Sequence, residues 1–173
     1  MISGEFKESL LNIYHGEQFG EAFYATLLAE AEDESEKVIL AALLQLETEG
    51  KARVRPLIVK YGLPAYDNPD SIAGGVETAK RLAKETWQSK FAAMVDIITE
   101  QGLPEYEGLW EKVSPEEDPE AAELAKFVGA HERVILEVCE NVVNGVPNPA
   151  SPLDDFLNFP IGAHTLMSNK GQK

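Results

Sequence analysis

The spacing of apolar residues is the feature that most constrains this fold. Over residues 4–31, large apolar side chains return every three or four positions, which is the period of a helix that buries one face. The same period recurs over residues 34–61, 76–101 and 115–144, and turn-forming residues separate these segments. The sequence therefore predicts an all-α protein in which residues 1–145 form one four-helix bundle.

The connections between these segments predict how the helices pair. A link of a few residues joins the first two segments, so these should be antiparallel neighbours. Residues 63–75 have no helical period, and a dozen extended residues at about 3.3–3.6 Å each can span most of a bundle. This pattern predicts two antiparallel hairpins joined by a long crossover. Four prolines interrupt residues 146–173, which predicts an irregular tail that packs on the bundle or on a partner subunit.

Composition and charge restrict the class of function. The chain has 173 residues, of which 44% are hydrophobic, and this is enough for one core. Its net charge of −15 repels nucleic acid and anionic lipid surfaces. Because the apolar runs are too short to cross a bilayer and no secretion signal is visible, we expect a cytoplasmic protein that binds neither membrane nor nucleic acid.

Two acidic residues on the first helix raise the question of function. Glu17 and Glu21 follow the same helical line as large apolar side chains. Like charges four residues apart destabilise a helix, and burial increases the cost, so a compensating partner is expected. The candidates are a metal ion, the imidazole of His131, or arginine side chains from other helices: Arg53, Arg55 and Arg133.

This pattern of four helices with acidic residues inside resembles the ferritin-like superfamily, over residues 4–145. Members of that superfamily hold a di-iron or di-manganese centre inside the bundle. The resemblance implies a Glu from each of two helices and a Glu-x-x-His motif from each of the other two, all facing one cavity. It therefore implies Fe or Mn as the cofactor and carboxylates as most of the ligands.

Several positions match the ligands that the resemblance implies. Glu17, with Glu21 one turn later, stands where the first Glu is expected, and Glu85 stands where the third helix should supply one. Glu47 and His131 each provide one half of a Glu-x-x-His motif. The predicted metal ligands are therefore Glu17, Glu21, Glu47, Glu85, His131 and Glu132.

Both Glu-x-x-His motifs are incomplete. Gly50 follows Glu47 at the position of the expected histidine, and Val128 precedes His131 at the position of the expected glutamate. Glu132 is a substitute ligand that lies about 100° further around the helix. Three of these residues also have an alternative interpretation without a metal. Glu47 can pair with Lys51 on the surface, Glu85 can be solvated beside Arg81, and His131 can be a hydrogen-bonded core residue.

Two functions follow from these residues. The first is a metal-carboxylate oxidoreductase that activates O₂ or peroxide in a pocket walled by Phe23, Tyr24 and Trp87. The second is a metal-free bundle that binds a protein or a small apolar ligand. A homodimer is expected in both cases, because Phe19 and Phe23 lie beside the inner line of the first helix and need a covering surface.

Overall fold

The computed structural model describes residues 2–161, and its regular elements are helices. The predicted all-α class is confirmed. A π-helical turn, Ile98–Gly102, joins the fourth helix to the fifth, and short 3-10 turns occupy Trp110–Lys112 and Ser151–Leu153. The six α-helices of the described residues are α1 Gly4–Glu30, α2 Glu34–Lys60, α3 Pro69–Leu82, α4 Trp87–Ile97, α5 Leu103–Gly108 and α6 Pro119–Val143.

The first two helices begin at side-chain caps. Ser3 accepts a hydrogen bond from the N–H of Phe6 at 3.0 Å, and Asp33 caps α2 in the same way. The ring of Phe6 meets the ring of Tyr61 edge to face, with centroids 5.9 Å apart. The end of α2 therefore lies beside the start of α1.

The predicted extended crossover over residues 63–75 is wrong, because α3 begins inside it. The side chain of Asn68 accepts hydrogen bonds from two N–H groups of the following turn, and Pro69 occupies the first helical position. A capping side chain followed by proline is a strong helix start. The link between α2 and α3 is therefore confined to residues 61–68.

The predicted third helix, residues 76–101, is broken in the structure. α3 ends at Leu82, and a turn separates it from the start of α4. Thr86 caps α4, because its hydroxyl accepts the N–H of Ser89 at 3.2 Å. From α4 the chain passes through the π-helical turn directly into α5. The helical part of this segment is therefore continuous from α4 to α5.

Ser114, which directly precedes the predicted last helix at residues 115–144, does not begin that helix in the structure. Its hydroxyl donates a hydrogen bond to Glu116 at 2.6 Å, and these residues form a turn. Asp118 is the N-cap of α6, and Pro119 is its first residue. Ser114 and Asp118 are both capping residues followed by proline, but only Asp118 begins the helix. Asp118 is also the one that contacts the end of α2.

Asp118 ties the start of α6 to the end of α2. Its carboxylate accepts the N–H of Ala121 at 3.1 Å, the hydroxyl of Tyr61 at 2.7 Å and the ammonium of Lys60 at 3.0 Å. The hydrogen bond from Tyr61 is the main cause that lowers the pKa of Asp118 to about 2. Because this value lies below the unfolded value of 3.8, the stabilisation is present above that pH and is lost as the pH falls towards 2.

Asp118→Ala is expected to lower the free energy of unfolding by about 2 kcal/mol at neutral pH, since it removes an N-cap and charge-assisted hydrogen bonds. Urea denaturation measures the change. Glu120→Ala is the matched control, because Glu120 pairs with the same Lys60 but has a side chain that is 62% exposed. Its loss should stay below about 0.5 kcal/mol, and equal losses in the two variants would contradict the capping role.

The core consists of two apolar clusters. One contains Phe23 and Leu43 and lies towards the end of α1, and the other contains Leu10 and Val54 and lies towards its start. Within residues 2–161, no helix combines the length and apolar character that a membrane span needs.

The C-terminal tail packs on this core as far as the described residues reach. Leu153 and Leu157 are buried in the first cluster. Glu49 of α2 accepts hydrogen bonds from the backbone and side-chain N–H groups of Asn158, both at 2.8 Å. The remainder of the predicted tail, residues 162–173, lies outside the described residues.

Phe19 and Phe23, which motivated the predicted homodimer, are covered within the chain. Phe23 is buried, and the ring of Phe19 packs on α3 beside Gly74. These two side chains therefore give no reason to invoke a second subunit. The homodimer stays a prediction.

Candidate metal centre

A polar cluster lies between the two apolar clusters of the core. Glu17 on α1, Glu47 on α2 and His131 on α6 are its members. On α6, for example, Val128 belongs to one apolar cluster and Ile135 to the other, and His131 lies between them. The helical periodicity that buries each apolar face therefore buries these polar residues as well.

The three side chains are close enough to share one cation. One carboxylate oxygen from each glutamate and one ring nitrogen of His131 all lie within 4.8 Å of one another. The Nε2 atom of His131 is 3.5 Å from Oε2 of Glu17 and 3.3 Å from the carbonyl oxygen of Leu46. Glu17 and His131 are 0% exposed and Glu47 is 5% exposed. The cluster is therefore enclosed by protein.

Three buried polar atoms of this cluster are unsatisfied. Neither carboxylate oxygen of Glu17 nor the Nδ1 atom of His131 has a hydrogen-bond partner of normal geometry among the described residues. The hydroxyl of Tyr106 still lies close enough to Glu17 to lower its pKa as a hydrogen-bond donor, so the pairing of Glu17 is incomplete. Buried polar groups are normally paired, and leaving a carboxylate unpaired costs several kcal/mol. Two carboxylates and an imidazole are a donor set that suits iron, manganese and related divalent metals. The residues present therefore fit a bound cation.

Burial shifts the proton equilibria of the cluster. It raises the pKa of Glu17 and of Glu47 well above the usual value. The charge of Glu132 adds to both shifts and that of Glu17 adds to the shift of Glu47, whereas a hydrogen bond from Tyr106 opposes the shift of Glu17. Burial also lowers the pKa of His131 to about 4 and raises the pKa of Glu132 to about 7. Without a cation the cluster favours uncharged side chains, whereas a divalent cation would favour the ionised carboxylates.

Two glycines make room for the carboxylates. A Cβ atom at Gly50 would overlap the carboxylate of Glu17 and would lie 2.7 Å from Nε2 of His131. A Cβ atom at Gly20 would overlap the carboxylate of Glu47. Gly50 occupies the position where the family resemblance expects a histidine ligand, and here the missing side chain is what lets the other ligands approach.

The structure brings together three of the predicted ligands: Glu17, Glu47 and His131. It separates Glu21 from them, because the carboxylate of Glu21 pairs with Lys51 and accepts the hydroxyl of Thr48 at 2.8 Å. Lys51, the predicted surface partner of Glu47, is therefore bound elsewhere. The carboxylates of Glu17 and Glu47 both point into the core, as a shared metal requires.

The assignment of Glu85 as a ligand is corrected by the structure. Glu85 is exposed and lies in the turn between α3 and α4, because the predicted third helix is broken there. Glu132 is 7% exposed and lies next to the three-residue group, close enough to influence the pKa of Glu17 and of Glu47. It remains near the centre without being one of the three converging ligands.

The arginines proposed as compensating charges bind other groups. Each of them finds a partner away from the buried cluster, so an arginine network does not neutralise Glu17. Arg53 pairs with Glu123 at 3.5 Å, Arg55 donates to the hydroxyl of Tyr14 at 3.0 Å, and Arg133 pairs with Glu107 at 2.6 Å.

A cavity of about 310 Å³ lies against the cluster, between α1, α4, the π-helical turn, α5 and α6. Glu47 and Glu132 are part of its lining, and Gln101, an exposed residue, is part of its rim. Trp87, which the sequence placed in the pocket wall, packs on Phe91 instead, with ring centroids 4.5 Å apart. The apolar wall is formed by Phe19, Phe23, Tyr24, Met94, Ile98 and Ile135.

Two aromatic residues cover the centre without having been predicted as part of the site. The ring of Tyr106 from α5 stacks on the imidazole of His131, with centroids 6.4 Å apart. The ring of Phe156 from the tail meets the same imidazole edge to face at 6.3 Å. Tyr106 was not singled out, because it lies in a short segment without a long helical period. Phe156 belongs to the tail that was predicted to pack on the bundle or on a partner subunit, but its contact with His131 was not predicted.

Relatives do not supply a second line of evidence for this site. Comparison of the chain with family models, curated proteins and solved structures finds no match. The interpretation of the centre therefore depends on the chemistry and geometry of its own residues.

Proposed function

We propose that this protein binds iron or manganese through Glu17, Glu47 and His131 and acts as an oxidoreductase on O₂ or peroxide. The observation that carries the proposal is the convergence of three buried ligand atoms within 4.8 Å, two of them on carboxylates. The unpaired oxygens of Glu17 give this convergence its energetic reason. A second ion, as in the di-iron and di-manganese members of the ferritin-like superfamily, would draw on Glu132.

We further propose a ferritin-like arrangement with four bundle helices. Three of them are α1, α2 and α6, and the fourth is the continuous helical segment formed by α4, the π-helical turn and α5. In this arrangement α3 belongs to the crossover. Contacts along α1 support this arrangement. According to these contacts, the segment leading into α3 and α3 itself run parallel to α1, whereas the segment from α5 onward runs antiparallel to α1. The contacts are Tyr14 with Ala65, Phe19 with Gly75, Ile13 with Tyr106 and Ser9 with Lys112.

The residues of the chain would divide the work at such a centre. Bound iron or manganese would supply one-electron chemistry towards O₂ or peroxide. Glu17 and Glu47 would hold the charge of a divalent ion, and the enclosing side chains would exclude water. Glu132, with a pKa of about 7, can hold or release a proton at the floor of the cavity near neutral pH.

Anaerobic loading with Fe(II) or Mn(II), followed by elemental analysis, tests the metal site. The wild type should retain metal in stoichiometric amount, and Glu47→Gln should weaken binding by about tenfold or more, because it removes one of the two carboxylate ligands. Glu85→Gln is the matched control and should bind metal normally, since Glu85 is exposed and remote. Equal retention by wild type and Glu47→Gln, or no retention by either, would end the proposal. Oxygen consumption by the loaded protein tests the reaction separately.

A metal-free binding protein is the second candidate, and one observation favours it. The pKa shifts allow the cluster to be buried without charge, because Glu17 and Glu47 hold protons more readily and His131 holds one less readily. The cavity beside it would then bind a small apolar ligand. Absence of metal from the loaded wild type, together with binding of an apolar ligand, would favour this candidate.

A further inference from the structure

We propose that the cavity binds an apolar molecule that carries a protonated amine, with the amine at Glu132 and the apolar body between α1 and α4. This proposal goes beyond the metal centre and does not depend on it. Glu132 lines the cavity but is not among the three residues that converge as metal ligands. It therefore remains available when those three residues hold a single metal ion.

Glu132 is a buried carboxylate that lacks a protein partner. It is 7% exposed, and within residues 2–161 no hydrogen bond or ion pair joins its carboxylate to another side chain or to the backbone. Its titratable neighbours in the cluster are Glu17 and Glu47, which carry the same charge when ionised. Gly102 of the π-helical turn leaves room for this carboxylate, because a Cβ atom there would overlap it. A ligand that carries a positive charge would therefore be the partner that this carboxylate lacks within the chain.

The lining of the cavity selects for a cation. Among the residues that the structure describes, the lining contains carboxylates and tyrosines but no lysine, arginine or histidine. The net charge of −15 repels anionic ligands from the whole molecule and attracts cations. The faces of Phe19 and Phe23 carry the negative part of the aromatic quadrupole, which also favours an ammonium group. An anionic ligand of the same size would meet only like charge.

The size of the cavity sets the size of the apolar body. An engineered cavity of about 150 Å³ holds benzene, so a cavity of twice that volume holds on the order of a dozen non-hydrogen atoms. The volume here is about 310 Å³. Because the exposed Gln101 lies at the rim, the cavity reaches the surface and a ligand of this size has a route in. A phenylalkylamine matches both the volume and the aromatic wall.

Three ligands with one carbon skeleton test the charge preference. Isothermal titration calorimetry is carried out on the full chain in the presence of a chelator, with phenylbutylamine, phenylbutanol and phenylbutyrate. The amine should bind about tenfold more tightly than the alcohol, and phenylbutyrate should not bind measurably. Equal affinity for the amine and the alcohol, or binding of phenylbutyrate, would overturn the proposal.

Matched variants locate the amine. Glu132→Gln should lose about tenfold in affinity for phenylbutylamine and keep its affinity for phenylbutanol. Glu105→Gln is the control, because Glu105 lines the same cavity but accepts a hydrogen bond from Asn12, and its affinity should not change. An unchanged amine affinity in Glu132→Gln would overturn the proposal.

A cavity-filling variant tests the position of the apolar body. Ile98→Trp should lose affinity for both phenylbutylamine and phenylbutanol, because Ile98 forms part of the wall. Melting curves show whether this variant is folded, and Thr78→Leu provides a milder filling of the same cavity if it is not. Because the chelated protein is used, a failure of metal binding leaves these results unaffected. If a folded variant kept its full affinity for both ligands, the proposed position of the apolar body would be overturned.

Discussion

Replacing Gly50 by alanine is expected to destabilise the fold and to abolish the proposed metal site, although alanine is ordinarily the better helix residue by about 1 kcal/mol. The new Cβ atom would overlap the carboxylate of Glu17 and would lie 2.7 Å from Nε2 of His131. Both of these side chains are fully buried and have no solvent into which they can turn. We therefore expect a loss of about 1–3 kcal/mol in the free energy of unfolding and metal binding that is at least about tenfold weaker.

Gly129→Ala is the matched control for this prediction. Gly129 is also buried and mid-helix, but the nearest atoms to its added Cβ belong to Glu107 and lie at 3.7 Å, an ordinary contact. This variant should be as stable as the wild type or more stable by up to about 1 kcal/mol. Urea denaturation and metal titration measure both variants. If Gly50→Ala matched Gly129→Ala in both measurements, the packing of Glu17 against Gly50 would be contradicted.

Much of the centre could be predicted from spacing along the helices. Glu17, Glu47 and His131 were each placed on or beside an apolar line, and such a line faces the core when the helix is long and regular. α1 and α2 also have capping residues at the predicted starts, so their registers were well defined. Periodicity therefore located three residues from three helices, and the caps of α1 and α2 support the registers of Glu17 and Glu47.

The third predicted helix shows why the rest could not be predicted. Ala79, Ala83 and Trp87 keep a four-residue spacing, so the period continues through the turn that separates α3 from α4. Ala83 itself has helical backbone angles, which hides the break from any pattern based on spacing. Glu85 was assigned to the core for this reason, whereas the cap at Thr86 places it in solvent.

Gly50 illustrates a different limit of sequence reasoning. A motif treats a glycine at a ligand position as a lost function, because the motif records only side chains that are present. The structure shows that the space left at Gly50 is filled by Glu17 and His131, which come from two other helices. Such compensation depends on how three helices pack together, and the spacing within one helix carries no information about it.

Replacing Glu17 by leucine is expected to stabilise the metal-free protein while eliminating metal binding. Glu17 is fully buried and neither of its oxygens is paired, and replacing buried ionic groups by apolar ones of similar volume often stabilises a protein by about 1–4 kcal/mol. Glu21→Leu is the matched control one turn away, because it removes a half-buried partner of Lys51 and should cost no more than about 1 kcal/mol. A higher free energy of unfolding for Glu17→Leu and a lower one for Glu21→Leu would show that Glu17 reduces the stability of the metal-free protein. Residues of a functional site often have this effect.

The stability advantage of Glu17→Leu should increase as the pH rises above 4.5, the unfolded pKa of Glu17. Burial raises the folded pKa of Glu17 above its unfolded value of 4.5, so the folded state binds the proton more readily and loses stability as the pH rises towards that folded pKa. His131 has the opposite effect only between its folded pKa of about 4 and its unfolded value of 6.5. Above 6.5 the carboxylates alone determine the slope, so chelated wild type should melt at a lower temperature at about pH 8 than at about pH 6.5. Glu17→Leu should show a smaller fall than wild type, and an equal fall in both proteins would contradict the raised pKa of Glu17.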